Sequence, residues 1–545
     1  MDLDKVMDEI GHFGKFQGLS YFLLSFSIFY AAIAGLSYVF TTGGVSYRCR
    51  IPECDPVENA LYKPDWLHNA VPFDESNERP VSCKRYLRNN DSSSDGYPTT
   101  ANNASNCMQD SFVNKTIMCE DFVFDDEELT IVNEWNIASC TEKPWRLTIV
   151  GTINNVGQFI GFPLAGYFSD KVGRKTTLLV SILMTCILGV LRSLAWSYEA
   201  FLFFEFVVAG FSGGIYNSGF VLGMELVGPR ARVIGGAVIS SFYSVGMVLL
   251  AAVAWWVKNW RILQAIYAPG LICFLYYWIL PESVRWLQSQ GRTEEVKVIM
   301  RRAAKINGVT LTDQEFNKFE LSPVLEKPDD SKPVPKRSNA DAFKRILRSK
   351  ILLARLVNCA FCWITNSFVY IGLSLSAVSV GGGKYTNFML VAVVEVPAYA
   401  VTPFFSDRFG RKLSLCVSLL IAGVCCIAFA FIPEDYDTLK LIIFLAGKFA
   451  ITVAFTVVYV FTAELFPTEL RHTMLGTCSM VGRVGSIIAP QSPLLAQIFK
   501  SLPFFLFGGI SIASGLLILL VPETLNQKLP DTVEEAESLG RKQTT

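Results

Sequence analysis

Blocks of about twenty apolar residues, nearly free of charge, recur along this 545-residue chain at approximately 19–41, 146–168, 177–196, 200–223, 234–256, 262–280, 351–375, 386–406, 413–432, 439–462, 473–497 and 503–521. A helix rises about 1.5 Å per residue, so each block is long enough to cross roughly 30 Å of hydrocarbon. Lipid leaves backbone N–H and C=O groups no partner but one another, so each block must be a helix. With 51% hydrophobic residues and a mean hydropathy of +0.37, the expected fold is an all-α polytopic membrane protein with twelve spans. The first block is read as a span and not as a cleaved leader. Its flank carries Asp2, Asp4, Asp8 and Glu9, its apolar run is too long, and no small-residue cleavage site follows.

Basic residues mark one side of the membrane. Lys171, Arg174 and Lys175 follow span 2; Arg230 and Arg232 follow span 4; Arg408, Arg411 and Lys412 follow span 8; Arg471 follows span 10. The positive-inside rule puts these connectors in the cytoplasm, and an even span count brings both termini there. The expected organisation is a cytoplasmic N-terminus (1–18), a six-helix half (19–280) holding an extracellular loop (43–144), a cytoplasmic linker (281–350), a second six-helix half (351–521) and a cytoplasmic tail (522–545). The extracellular loop carries three glycosylation acceptor patterns, at Asn90, Asn103 and Asn114. It also holds Cys49, Cys54, Cys83, Cys107, Cys119 and Cys140. An even set of cysteines in an oxidising compartment predicts a disulfide-stapled ectodomain, with its pairing open. In the linker, 283–305 reads as amphipathic helix and 308–340, with four prolines, as flexible chain. The basic stretch 341–350 either lies on the anionic inner leaflet or is a solvated linker end.

The chain repeats itself. Ser169-Asp170-Lys171-Val172-Gly173-Arg174-Lys175 returns 237 positions later as Ser406-Asp407-Arg408-Phe409-Gly410-Arg411-Lys412. Glu225 with Arg232 returns 239 positions later as Glu464 with Arg471, and Pro281-Glu282-Ser283 returns 241 positions later as Pro522-Glu523-Thr524. Three motifs in one order at nearly one offset describe a six-plus-six duplication. Duplicated bundles in membranes work by rocking one half against the other about a site near the midplane. Asp170, Arg174, Asp407, Arg411, Glu225, Arg232, Glu464 and Arg471 are therefore expected to form a cytoplasmic gate or brace of opposite charges.

The repeated loop resembles the signature of the major facilitator superfamily. The cysteine-rich loop after span 1, Asn133-Glu134-Trp135-Asn136, Pro281-Glu282-Ser283-Val284-Arg285-Trp286-Leu287 and Thr462-Ala463-Glu464-Leu465-Phe466-Pro467-Thr468 narrow it. Together they look like the organic cation/anion/carnitine transporter family, solute carrier family 22. The resemblance covers nearly the whole chain. It implies the major facilitator fold, alternating access, a plasma-membrane location and a small polar organic solute as substrate.

Charges inside the spans should point to that solute, since each costs roughly 2.5–3.5 kcal/mol or more at the bilayer centre unless it faces a cavity or a partner. The main ones are Glu205, Glu395, Lys448 and Arg483. Arg483, mid-span 11, stands where cation-type members of the family carry Asp and anion and carnitine members carry Arg. It either forks onto a substrate carboxylate or is neutralised by an acid such as Glu395. Glu395 sits in a segment similar to that of carnitine and cation members, with Tyr399 where anion members tend to have Lys. It either receives an amine beside aromatic faces or pairs with Lys448 or Arg483. If Arg483 and Glu395 both face the cavity, the preferred solute is a zwitterion, carnitine-like or amino acid-like. The alternatives are an organic anion or an organic cation. Tyr216, Tyr243, Trp363, Tyr370, Phe455 and Tyr459 resemble cavity positions of relatives. Asn154, Asn155, Gln158 and Asn366 either line the pathway or bond helix to helix. Glu205 stands where relatives carry a basic residue. Span 1 reads Tyr30-Ala31-Ala32, without the asparagine of sodium-coupled members, which puts sodium coupling in doubt.

Other classes fit poorly. The 48 basic and 48 acidic residues cancel, which gives nucleic acid no electrostatic footprint. Gly210-Phe211-Ser212-Gly213-Gly214 matches a serine-hydrolase elbow formally, but it lies inside a span, where glycines serve close helix packing. No metal-ligand spacing or cofactor motif is present, and neither an enzyme nor a cofactor is expected. A channel or a membrane sensor is the remaining rival, and duplicated halves with midplane charges favour a carrier.

Overall fold

The computed structural model describes residues 14–538 apart from 53, 57–58, 75–78, 90–106, 109–110, 126, 138–139, 141–144, 229–231, 310–347, 434, 468–469, 526, 528–529 and 531–532. Acceptor sites Asn90 and Asn103, nearly all of the proline-rich linker and the side chain of Arg232 lie outside the described residues. The first half comprises α1 (Lys15–Leu36, continued by Tyr38–Thr41), α2 (Trp145–Val172), α3 (Arg174–Arg192), α4 (Tyr198–Glu225), α5 (Arg232–Val257) and α6 (Trp260–Leu263, running through a 3₁₀ stretch to Tyr276–Ile279). The second comprises α7 (Lys350–Ser376), α8 (Lys384–Phe409), α9 (Arg411–Phe431), α10 (Asp437–Leu465), α11 (Arg471–Ile488, then a 3₁₀ turn and Ser492–Ile498) and α12 (Leu502–Ile518). Each half closes on its own helices, and two seams join the halves: α2 against α11 and α5 against α8.

Among the described residues, nine of these helices are at least 18 residues long and contain a stretch apolar enough to span a bilayer. The other three depart for local reasons. In α2, Asn154, Asn155 and Gln158 lower the hydropathy, yet their amides are spent inside the protein. Asn154 donates to Ala34 O and to Glu205, Asn155 to Gly151 O, and Gln158 to Asn154. In α11, Pro490 lacks the N–H that would continue the helix, so the segment breaks there into a 3₁₀ turn. In α12 the helix is 17 residues long. Large apolar side chains such as Leu164, Phe203, Trp256, Val357 and Leu520 point outward, a surface that suits lipid and not water.

Glycines set the helix spacing where the hydrolase-like motif lies. A Cβ at Gly161 would fall 2.0 Å from Gly210 O, and one at Gly157 would fall 2.4 Å from Phe206 O, so α2 and α4 touch backbone to backbone. The motif Gly210–Gly214 is therefore a packing surface.

The segment between α1 and α2 is a small disulfide-bonded body. Its bonds are Cys49–Cys119, Cys54–Cys107 and Cys83–Cys140, all six expected cysteines and one of the fifteen pairings left open by the sequence. Three antiparallel two-stranded ladders build it, Tyr47–Cys49 with Phe122–Phe124, Phe73–Asp74 with Arg79–Pro80, and Lys84–Arg88 with Phe112–Met118. Asn114 lies exposed on the last of these. At its centre Arg48 and Asp55 form a buried two-point ion pair at 2.7 and 2.6 Å. The linker's amphipathic stretch is two helices, Val284–Ser289 and Thr293–Asn307, parted at Gly291. The second docks on the start of α1, where Asn307 accepts from Phe16 N at 2.9 Å.

The backbone contact of α2 with α4 is testable. Gly161→Ala should lower the melting temperature of purified protein, with overpacking costing about 1–3 kcal/mol. Gly18→Ala, whose Cβ would meet nothing within 4 Å, should leave it unchanged. Equal melting temperatures would mean the helices are farther apart than described.

Candidate functional site

The repeated motifs assemble into the same cluster twice, at the face opposite the disulfide-bonded loop. Between α2 and α3 the chain turns at Gly173 (φ +105°), and between α8 and α9 at Gly410 (φ +97°), a backbone that side chains resist. Arg174, just past the turn, pairs with Asp170 at 2.9 Å and with Glu225 of α4 at 3.2 Å. Arg411 does the same with Asp407 at 3.0 Å and Glu464 of α10 at 3.3 Å. The acids of the third motif cap the helices that follow the turns. Glu282 accepts from Lys175 N at 3.0 Å, and Glu523 accepts from Arg411 N at 2.9 Å and Lys412 N at 3.1 Å. These N–H groups have no partner within their helix and carry the positive end of its dipole. A Cβ at Gly173 would strike Glu282 at 2.4 Å and one at Gly410 would strike Glu523 at 2.5 Å, a second reason for glycine. Each of the ion pairs just described stays within one half. They brace three neighbouring helices and do not bridge the halves. Arg471 is only part-exposed and has partners of its own.

In the bundle interior, the charges sort themselves differently from one another. Glu205 forms a fully buried ion pair with Arg192 at the end of α3. Arg192 also donates to Gln264 and Ser37, and Glu205 accepts from Asn154 at 2.7 Å. Glu395 of α8 and Lys448 of α10, both fully buried, pair at 2.9 Å. Ser244 of α5 donates to Glu395 at 2.7 Å across the half boundary, and Lys448 also donates to Ser374 at 2.7 Å and lies 3.3 Å from the Tyr370 ring centre. Glu395 thus has an internal partner in Lys448. Arg483 differs. Among the described residues it has no ion pair and no hydrogen bond; its guanidinium carbon lies 3.5 Å from the centre of the Phe162 ring, on the opposing half.

The aromatic residues divide by exposure. Tyr216, Tyr243, Tyr370, Tyr399, Phe455 and Tyr459 sit deep in the bundle yet keep accessible surface, as does Arg483, so they line the interior space between the halves. Tyr216, Tyr243 and Tyr459 lie within electrostatic reach of Arg483, and Tyr399 and Tyr370 crowd Glu395. Phe455 stacks obliquely on Tyr370, with centres 5.4 Å apart. Trp363 is buried, donating to Thr462 at 2.9 Å and backing the Tyr459 ring at 4.4 Å. Asn366 is buried and donates to Cys362 O in its own helix, so it faces helix packing and not the lined space. The sequence did not single out Arg192, Ser244 or Phe162. A lone Arg at a helix end and a lone Ser or Phe within a span carry no periodic signal.

Further contacts that cross the halves lie toward the loop face. Thr148 of α2 donates to Gln491 at 2.9 Å, and Thr152 donates to Ile487 O at 3.1 Å. Phe40 of α1 stacks on Tyr385 of α8 with centres 5.5 Å apart. Glu128, from the strand-bearing loop, binds Lys384 and accepts from the Tyr385 hydroxyl at 2.9 Å.

Two variants probe the buried pair. Glu395→Gln leaves the Lys448 ammonium buried without a counter-charge and should destabilise the protein by about 3–5 kcal/mol, whereas Glu395→Leu with Lys448→Met should recover most of that loss. Thermal melts of the purified variants distinguish the cases; a double variant no better than the single one would break the pairing account.

The sequence model of the Major Facilitator Superfamily matches residues 144–490 and 385–543. The chain is 34% identical to the organic cation transporter protein of Drosophila melanogaster, with 99% of this chain and 96% of that protein aligned. It is 33% identical to organic cation/carnitine transporter 2 of Homo sapiens, covering 98% of this chain and 94% of the relative. Among solved structures, the inward open conformation of the xylose transporter XylE from E. coli superposes with a TM-score of 0.58 at 19% identity, over 75% of this chain and 92% of that one, a likeness of fold. With its helical bundle, its doubled motif and relatives of this closeness along almost its full length, the chain belongs to the major facilitator superfamily and, within it, to the solute carrier family 22 of organic cation/carnitine transporters.

Proposed function

We propose that this transporter carries a zwitterionic organic solute across the plasma membrane by alternating access, with Arg483 taking the carboxylate. The observation that carries the reading is the charge balance of the lined space. Glu395 and Lys448 cancel, as do Arg192 and Glu205, and Arg483 keeps its charge without an acidic partner among the described residues. A guanidinium held in a low-dielectric interior attracts a carboxylate strongly and can grip it with two parallel N–H bonds. The cationic end of the solute then meets ring faces, Tyr459, Tyr216 and Phe455, and not a free carboxylate. A plain organic cation would place its charge against Arg483 with nothing to offset it.

The cross-half contacts near the loop face support the access mechanism. They close the bundle on that side, while the ion pairs of the opposite face stay inside each half and let the halves part there as rigid bodies. Topology by the positive-inside rule makes the loop face extracellular, with the Asn114 acceptor exposed on it, and puts both termini in the cytoplasm. The relatives' names supply carnitine as a first probe.

Carnitine and carnitine methyl ester share the quaternary ammonium and differ in the carboxylate. Uptake into cells expressing the chain should favour the acid over the ester, and Arg483→Ala should remove that preference by raising KM for the acid at least tenfold, about the 1.4 kcal/mol of one charge-assisted hydrogen bond. Acid and ester carried alike by the unmodified protein would sink the role of Arg483. The access mechanism is checked separately. Thr148→Cys with Gln491→Cys, joined by a cleavable thiol cross-linker, should abolish uptake, and cleavage should restore it; transport through the cross-linked protein would exclude rocking at this seam.

A further inference from the structure

Arg483 and Phe162 come from opposite halves, α11 and α2, and their contact stands in place of the counter-ion that buried arginines ordinarily have. At 3.5 Å from guanidinium carbon to ring centre, two planar groups can only lie face to face. The five N–H bonds then run parallel to the ring and none points into it, so the whole donor edge stays free. The slot for the ring is cut by Gly213 of α4, where a Cβ would come within 2.9 Å of Phe162 Cδ2.

The duplication explains why a ring occupies this place. The 237-residue offset of the turn motif brings Gln158 onto Glu395 and Phe162 onto Tyr399, and the 239-residue offset brings Ser244 onto Arg483. At the α5/α8 seam, Ser244 bonds the acid at the position equivalent to Gln158. At the α2/α11 seam that position is a neutral amide already engaged with Asn154. No acid awaits Arg483 there, and the aromatic position one turn further along α2 receives it.

We propose that Phe162 is the positioning residue for Arg483, a platform that aims the guanidinium edge into the lined space and does so only while the α2/α11 seam is closed. The proposal rests on the reading of Arg483 as the carboxylate site. The same seam carries Thr148, Thr152, Ile487 and Gln491 nearer the loop face. Parting the halves on that side separates ring from guanidinium, so the protein's grip on a carboxylate differs between its two states. The platform also sets specificity: a face-stacked guanidinium cannot turn to follow a displaced anion, so the distance between carboxylate and ammonium in the solute is read against a fixed edge.

The test is uptake of carnitine and its methyl ester by the full-length protein, with surface expression measured for each variant. Phe162→Leu keeps bulk and removes the π face. It should raise KM for carnitine about tenfold, the range of a desolvated cation–π contact, and leave KM for the ester unchanged. Phe162→Tyr keeps a ring of the same size, as at the equivalent Tyr399, and should keep the carnitine KM near its original value. If Phe162→Leu fails to reach the membrane, Gly213→Ala crowds the ring from α4 and should produce the same acid-specific rise. An unchanged acid-to-ester ratio in Phe162→Leu, or a Phe162→Tyr variant as impaired as the Leu one, overturns the platform. Arg483→Ala separates the two readings: if it abolishes acid preference while Phe162→Leu does not, only the platform falls. If the unmodified protein shows no acid preference, both fall.

Discussion

An ionised side chain within a lipid-embedded bundle has to find its counter-charge in the protein, and this constraint organises the molecule from end to end. Arg192 finds Glu205 on the next helix, and Lys448 finds Glu395 two helices away. Neither pair is a strong source of stability, because desolvation offsets most of the Coulomb gain. What each pair does is fix which helices lie side by side, since separating the partners strands two charges in a low dielectric. Arg483 stands apart as a cation that has a ring beside it but no acidic partner among the described residues, and that difference gives the interior its sign.

At the opposite scale, the turn clusters make each half a rigid unit. A glycine with positive φ lets one helix leave the last at close range, an acid from the end of the half caps the new helix, and an arginine ties in a third. Because Glu523, Arg411 and Glu464 repeat the arrangement of Glu282, Arg174 and Glu225, both halves are braced by the same means. The seams between the halves are held by hydroxyls, amides and ring stacks, together with the bond of Ser244 to the Glu395 carboxylate.

Much of this was legible in the sequence. Apolar block length gave the helices, motif offsets gave the duplication, and clustered cysteines in one loop gave the stapled body. The polar residues of α2 looked ambiguous because hydropathy cannot say whether Asn154 faces a pathway or another helix; its bonds to Ala34 and Glu205 answer that. Helix crossing was the missing quantity. Glu395 meets Lys448 across 53 residues and Ser244 across 151, and nothing in a single chain's periodicity states which rotation of α8 brings them together. Disulfide pairing was hidden for the same reason. Arg483 was conspicuous as a charge, whereas Phe162, one of 41 phenylalanines, became visible only when the two halves were set against each other.

The disulfide-bonded loop also carries a consequence beyond its own stability. It is anchored on the first half, where Glu134 binds Arg261 and Trp260, and it reaches the second half through Glu128 on Lys384 and Tyr385. A carrier that parts its halves on this side must break that ionic contact in every cycle and remake it on return. Both partners are partly exposed, at 16% for Glu128 and 28% for Lys384, so dissolved ions reach them and weaken their attraction. If the halves part on this side, turnover depends on the ionic strength of the fluid bathing the loop.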